Sequence, residues 1–278
     1  MGDDNTERPT TTKKGKMKWT TSYSNMSRQA TEKRLHVTIS KLIEASNPIE
    51  EIVGLGGNTI WDVSDTKEKV YARLVEYLHC ELYPSMAEDD FKESNIHDIV
   101  TAVLLPTLSD FKHKSKRGGL KLHKEKEVLS VDEETGGCEE YVVMDLIKSS
   151  TAISEEREGT FVLVVVEAKQ QSTFAAAFRQ LLLTLDDMWN TNGKNGVVYG
   201  FATTGEDWQM IIYNGTFQLT DKVTVMFPRM GEGDKKEKWM KEYSFIVDLI
   251  YIALTGGWLV WETGPKPIWR LVTREQDS

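Results

Sequence analysis

The stretch FVLVVVEAKQQ, residues 161–171, constrains the fold more than any other part of the chain. Five consecutive aliphatic residues, Val162 to Val166, are typical of a strand buried on both faces of a sheet. Glu167 and Lys169 follow two residues apart, and because side chains alternate along a strand they point to the same face. A carboxylate and an ammonium on the same face at the end of a buried strand predict a functional site there.

Hydrophobic periodicity on either side of this strand predicts a mixed α/β fold. Helices are predicted at 32–45, 66–83, 95–112, 171–190 and 239–254. Strands are predicted at 120–131, 138–147, 161–169, 196–203, 208–213 and 217–227. The middle of the chain therefore follows the order helix, strand, strand, strand, helix, strand.

Composition divides the 278 residues into three parts. Residues 1–30 are polar and rich in Thr, Ser and Lys, which predicts a mobile polar arm. Residues 31–90 are predicted to be a helical N-terminal region, and residues 91–278 an α/β domain that carries the buried strand. Whether the helical region packs onto the α/β domain stays open.

Charge and cysteine content limit the classes of function. A net charge of −9 argues against a protein that binds nucleic acid over its whole surface, although residues 112–126 hold seven Lys/Arg against one Glu. The chain contains no run of about 18 apolar residues, so no membrane span is predicted. The two cysteines, Cys80 and Cys138, form no disulfide framework, so an intracellular location is expected.

Asp145 near the end of the second core strand supplies a further acid. If that strand pairs with residues 161–169, Asp145 and Glu167 can sit at the same sheet edge. Two carboxylates form a hard-oxygen site suited to Mg²⁺ or Mn²⁺, and Lys169 beside them suits hydrolysis of a phosphate ester. Gln180, on the flank of the next helix, can face the same site and orient water.

The order of Asp145, then Glu167-Ala-Lys169, then Gln180 in the following helix resembles the PD-(D/E)XK nuclease superfamily. The segment VVYGFATTGEDWQMIIYNG, residues 197–215, is similar to the nuclease-like domain of Crinkler-type effectors. Its matching residues are Gly200, Thr203, Gly205 and Trp208. The resemblance covers about residues 91–255 and implies a restriction-endonuclease-like core, an α-β-β-β-α-β mixed sheet.

The resemblance also implies residue roles and a substrate. Asp145 and Glu167 would bind the metal together with the backbone carbonyl of Ala168, while Lys169 and Gln180 would complete the catalytic set. A further acid on the first core helix is expected in the family, and Glu93 and Asp98 are both possible. The implied activity is metal-dependent DNA hydrolysis, in the nucleus of a host cell if the chain is an effector.

Plainer interpretations stand beside this one. Glu167 and Lys169 can be a surface ion pair worth about 0–1 kcal/mol, and Trp208 is expected to be a packing residue rather than a base-stacking platform. The alternative function is a catalytically weak or inactive nuclease-fold module that binds nucleic acid or a protein partner. The position of residues 112–126 relative to Lys169 discriminates between the two.

Overall fold

The computed structural model describes residues 20–55, 61–81, 83, 92–129, 135–148, 158–169, 173–194 and 196–263. Within these ranges the helices are α1 (Arg28–Leu35), α2 (Ile39–Glu44), α3 (Ile49–Leu55), α4 (Ser64–Glu81), α5 (Glu93–Ser115), α6 (Phe174–Thr191), α7 (Lys235–Glu242) and α8 (Phe245–Thr263), with a short 3-10 helix at Tyr23–Asn25. None of the described helices is long and apolar enough to cross a membrane.

The strands form one mixed sheet. They are β1 (Thr21–Ser22), β2 (Leu120–Leu129), β3 (Thr135–Lys148), β4 (Glu158–Ala168), β5 (Val198–Thr203), β6 (Asp207–Tyr213) and β7 (Phe217–Thr224). The path β1-β3-β4-β5-β6-β7 is continuous, and β2 pairs with β3. The pairs β1–β3 and β4–β5 are parallel and the others antiparallel, so a mixed α/β fold with N-terminal helices is confirmed.

Along one edge of β3, the two ends of the strand pair with different strands. β2 pairs along nearly the whole of one edge of β3. On the opposite edge, β4 pairs from Lys148 back to Tyr141, whereas β1 pairs at Thr135 and Gly136. Glu139 and Glu140 therefore lie in the interval where β4 has ended and β1 has not begun.

β4 is a central strand, as its apolar sequence predicts. Its side chains divide between two hydrophobic clusters, with Val164 and Val166 in one and Val165 in the other. The first cluster is covered mainly by α3, α4, α5 and α8, and the second mainly by α6. Each face of β4 is thus shielded from water by helices.

The N-terminal helical region packs onto the sheet instead of standing apart. Ile52 of α3 and Leu74 of α4 belong to the same cluster as Val164 of β4. The predicted division at residue 90 therefore has no counterpart in the packing. The two regions share one hydrophobic cluster, and whether 91–278 folds as a separate domain stays a prediction.

The structure differs from the prediction at the N-terminal arm. Residues 1–19 lie outside the described residues, but residues 20–30 form β1, the 3-10 helix and the start of α1. Tyr23 is buried and donates a hydrogen bond to Asp187 of α6. One aromatic side chain and one strand pairing thus attach a segment whose composition indicated only a polar arm.

Two predicted helices are each divided. The helix predicted at 32–45 is interrupted at His36, which adopts a left-handed conformation with φ 54°, between α1 and α2. The helix predicted at 239–254 is interrupted at Tyr243 and Ser244, between α7 and α8. Hydrophobic spacing continues across both breaks, so it indicates the buried side of the segment but not the change of helix direction.

Candidate functional site

Charged side chains converge where β4 leaves the sheet. The Nζ atom of Lys169 donates to Oε1 of Glu93 and to Oε1 of Glu140, both at 2.5 Å, and lies 3.4 Å from Oε1 of Glu167. The Lys169 backbone N–H donates to the carbonyl of Thr203 in β5 at 3.0 Å, which fixes the chain at this point. We call Glu93, Glu139, Glu140, Glu167 and Lys169, with His97, the strand-exit cluster.

Antiparallel pairing explains why Glu140 reaches this place. Tyr141 pairs with Val166, so the residues just before Tyr141 lie beside the end of β4. The Glu140 carboxylate accepts the backbone N–H of Ala168 at 2.9 Å. A side-chain carboxylate therefore takes a backbone hydrogen bond beyond the last ladder pair between the two strands.

Glu167 and Glu139 form the buried part of the cluster. Both residues are fully buried, Oε1 of Glu167 lies 3.4 Å from Nζ of Lys169, and the Glu139 and Glu167 carboxyl groups lie within hydrogen-bonding reach of each other. Oε1 of Glu139 accepts from Oγ1 of Thr184 at 2.6 Å, and Gln180 lies beside the same carboxyl. Two adjacent buried carboxyl groups are costly to ionise together, so this arrangement favours a shared proton or a bound cation.

Burial and mutual repulsion change the acidity of the cluster. Burial raises the pKa of Glu139 to about 7, and burial together with the Glu139 and Glu140 charges raises the pKa of Glu167 well above its usual value. The pKa of Glu140 is also raised by burial, although Lys169 opposes the shift. Burial favours neutral Lys169, yet Glu167 and Glu140 raise its pKa and keep it charged.

The open side of the cluster is formed by α5. Glu93 and His97 are one helical turn apart, and Nε2 of His97 lies 3.1 Å from Oε2 of Glu140. One ligand atom from each of Glu93, His97 and Glu140 lies within 4.8 Å of the other two. The Glu93 side chain is 48% exposed and that of Glu167 is 0% exposed, so the cluster extends from solvent to the core.

The donor set fits a divalent cation. Carboxylates suit Mg²⁺ and Mn²⁺, and the His97 imidazole favours a transition ion such as Mn²⁺ over Mg²⁺. A cation would also relieve the repulsion among Glu139, Glu140 and Glu167, which one lysine cannot neutralise. The specific observation that fits is the pair of adjacent buried carboxyl groups, Glu139 and Glu167, whose mutual repulsion the Lys169 ammonium only partly offsets.

Asp145 is not part of this cluster, and the expectation that it joins Glu167 is wrong. It pairs with Phe161, six residues before Glu167, because β3 and β4 are antiparallel. The end of β3 therefore meets the beginning of β4. Asp145 instead forms an ion pair with Arg117, which lies just before β2.

Most of the other predicted site residues do lie in or beside the strand-exit cluster. Lys169 and Gln180 are both near the buried carboxylates, Gln180 through Glu139. Of the two acids on α5, Glu93 contacts Lys169, whereas Asp98 faces a groove between α4 and α5. The Ala168 carbonyl stays a predicted ligand.

Sequence reasoning missed Glu139, Glu140 and His97. The two glutamates begin the apolar run EEYVVM in the predicted strand 138–147, and antiparallel pairing of that strand with 161–169 was the available signal. In an antiparallel β3–β4 pair, acids at the start of β3 meet acids at the end of β4. His97 carried no signal, because its position depends on how α5 packs.

The turn after β5 has a packing role. Trp208 is fully buried and its Nε1 donates to the carbonyl of Gly205 at 3.0 Å, which confirms the packing interpretation. Gly205 has φ 86°, and a Cβ there would lie 3.2 Å from Ile99 of α5. This turn packs against α5 at Ile99, which lies three residues after Ile96 and two after His97.

The basic stretch lies mostly away from Lys169. Leu120 pairs with Asp145 and Lys124 with Tyr141, so residues 112–121 lie toward the other end of β3. Two residues of the stretch lie near the cluster: Lys124, with Nζ 5.3 Å from the Tyr141 ring centroid, and Lys126, whose backbone pairs with Glu139. The position of residues 112–121 favours the alternative in which they form an interaction surface over the one in which they guide the substrate to Lys169.

The comparisons with known proteins found no match to this chain, either among family models or among curated proteins. Function is therefore inferred from the geometry of the described residues.

Proposed function

We propose that this chain is a divalent-metal-dependent phosphodiesterase that hydrolyses nucleic acid, with DNA as the first candidate substrate. The convergence of Glu140, Glu167 and Lys169 at the end of a buried strand carries the proposal. A fully buried carboxyl group, a second acid and a charged lysine provide the three kinds of group that phosphodiester hydrolysis requires.

Each residue has a separate role. Glu140 and Glu167 would hold the cation, with Glu93 and His97 completing its ligands on the open side. When bound, the cation supplies Lewis-acid activation of the phosphate and lowers the pKa of water. The Lys169 ammonium stabilises negative charge that develops on the phosphate. Glu139, whose pKa is about 7, can accept a proton near neutral pH.

The order of elements supports the PD-(D/E)XK interpretation. α5, β2, β3, β4, α6 and β5 follow the helix, strand, strand, strand, helix, strand order of that core. In this proposal Glu140 replaces Asp145 as the acid on the middle strand. Crinkler-like effector function and nuclear location remain proposals, and KKGKMK at 13–18, a weak nuclear-import candidate by its basic composition, lies outside the described residues.

The test is cleavage of supercoiled and linear DNA with Mg²⁺, with Mn²⁺ and with EDTA. Glu140→Gln and Lys169→Ala should each lower the rate by about 100-fold or more, because each removes an electrostatic group at the reacting phosphate. Asp145→Asn is the matched control on the same strand. It breaks an ion pair with Arg117 but lies outside the cluster, so cleavage should persist.

Equal loss in Glu140→Gln and Asp145→Asn, with both proteins folded, would contradict this site. An inactive wild type with intact folding would favour the second candidate, a binding module without catalysis. The position of residues 112–121 away from Lys169 is the observation that favours that candidate.

A further inference from the structure

A second surface lies at the other end of α5, where this helix crosses β2. The groove between them has a volume of about 520 Å³. Its apolar part consists of leucines from both elements: Leu105, Leu108, Leu120 and Leu122. Leu105 is 50% exposed, one of two large hydrophobic side chains called exposed among the described residues. An exposed leucine above an apolar floor is typical of a docking surface.

The polar part of the groove is basic. Lys112 and Ser109 line it from α5, and Lys121 and His123 line it along the β2 edge, where their side chains alternate to the other face of the sheet; no Asp or Glu lines it among the described residues. This absence is unusual in a chain of net charge −9. Two neighbouring cations already have partners, since Lys114 pairs with Asp110 and Arg117 with Asp145. Lys112 and Lys121 form no ion pair with the described residues.

β2 also provides backbone hydrogen-bonding groups. It pairs only with β3 among the described strands, so its outer edge presents N–H and C=O groups that can accept another strand. A strand added there would continue the alternation of β2. Side chains beside Leu120 and Leu122 would face the leucines of the groove, and side chains beside Lys121 and His123 would face the opposite side.

This surface shares no residue with the strand-exit cluster and is farthest from it at Lys112, whereas its His123 end pairs with Val142, two residues from Glu140. Fifteen residues of one helix separate His97 from Lys112, about 22 Å at 1.5 Å per residue. A nucleic-acid backbone is a poorer match than a peptide, because phosphates gain nothing from four leucines. An extended peptide matches the apolar floor, the cations and the free strand edge together.

We propose that the edge of β2 and the groove beside it bind an extended acidic segment of a partner protein. The segment would add as a strand to β2, with apolar residues facing the leucine floor. Acidic residues would alternate with them, opposite Lys121 and His123, and Lys112 at the rim would contact a further acid. This proposal does not depend on the proposed function.

The probe is a short fluorescein-labelled peptide in which glutamate alternates with leucine, and its binding to the full chain is measured by fluorescence anisotropy in EDTA. Replacing both Lys112 and Lys121 by glutamate should weaken binding by about tenfold or more, because attraction becomes repulsion. Leu105→Gln should also weaken it. Lys33→Glu with Lys41→Glu is the matched control, since it changes net charge equally on α1 and α2.

Two control peptides test the mode of binding. A peptide with lysine in place of glutamate should not bind. Peptides N-methylated at every second amide, in the two possible registers, should lose binding in one register if strand addition occurs. Circular dichroism establishes that each variant is folded.

A short DNA duplex distinguishes the other class of partner. If the Lys112/Lys121 variant loses DNA affinity or DNA cleavage while the glutamate peptide never binds, the surface holds nucleic acid and the proposal is overturned. Absence of peptide binding to a folded wild type also overturns it. Peptide binding that survives in the Glu140→Gln variant would support it even if no cleavage were found in any protein.

Discussion

At the scale of single residues, the strand-exit cluster stores unfavourable electrostatic energy. Three buried carboxyl groups, those of Glu139, Glu140 and Glu167, lie close together, and burial raises the pKa of Glu139 to about 7. An acid whose pKa is higher in the folded state binds more protons there than in the unfolded chain. The free energy of unfolding is therefore expected to fall as pH rises from about 4.5 to about 7.

Glu139→Gln should remove much of this penalty. Glutamine fits the same space and carries no charge, so we expect the metal-free variant to be more stable than wild type by about 1–3 kcal/mol at pH 8. Urea denaturation followed by circular dichroism measures the difference. At pH 4, where the wild-type acid is protonated in both states, the two proteins should unfold alike, and a difference equal at both pH values would contradict this explanation.

A divalent cation should have the opposite pH dependence. Mn²⁺ binds the ionised carboxylates, so it should raise the melting temperature of wild type at pH 8 and have little effect at pH 5. EDTA should reverse the increase. Glu167→Gln should lose most of it, whereas Asp145→Asn, which leaves the cluster intact, should retain it.

At the scale of elements, the close packing of α6 on β5 places Gln180 and Thr184 beside Glu139. Gly200 of β5 permits this approach, because a Cβ there would lie 2.8 Å from Leu181 and 2.9 Å from Leu185. Both leucine side chains are fully buried and have little room to move. The distance between α6 and the sheet therefore depends on one missing methyl group.

Gly200→Ala should destabilise the protein by about 1–3 kcal/mol through overpacking, and thermal unfolding measures the change. Gly118→Ala is the control, since a Cβ at Gly118 meets no atom within 4 Å. A Gly200→Ala protein as stable as Gly118→Ala would show that α6 can shift without cost.

At the scale of the whole molecule, the N-terminal part is a structural component of the sheet core. Tyr23 and Ile39 belong to the cluster under α6, and Val70 and Leu74 of α4 belong to the cluster under α5. The fragment 91–278, which the sequence resemblance nearly outlines, lacks all of these side chains. It would expose apolar surface on both faces of β4.

We therefore expect fragment 91–278 not to fold alone, whereas fragment 20–278 keeps every contact that the structure describes. Far-UV circular dichroism and limited proteolysis of the two purified fragments compare them. Cooperative unfolding of fragment 91–278 would show that the helices at 28–81 are an accessory to an independent domain.

Local pattern was sufficient for most elements. β4 was predicted as a central strand because five aliphatic residues need burial on both faces, and α4, α5 and α6 because their apolar residues recur at helical spacing. The breaks at His36 and at Tyr243–Ser244 were missed, since backbone direction can change without a change in hydrophobic spacing. Pairing at the Thr21–Ser22 edge was missed because two polar residues carry no strand signal.

The candidate site likewise combines features that local sequence predicts with features that only the fold determines. Sequence by itself determined that Glu167 and Lys169 lie at the end of a buried strand, since alternation and burial are local properties. Only the tertiary structure decided that Glu139 and Glu140, and not Asp145, complete the cluster, because strand direction determines which ends meet. It also placed Glu93 and His97 there, through the way α5 crosses the sheet, and placed residues 112–121 toward the other end of β3, because β2 pairs antiparallel with β3.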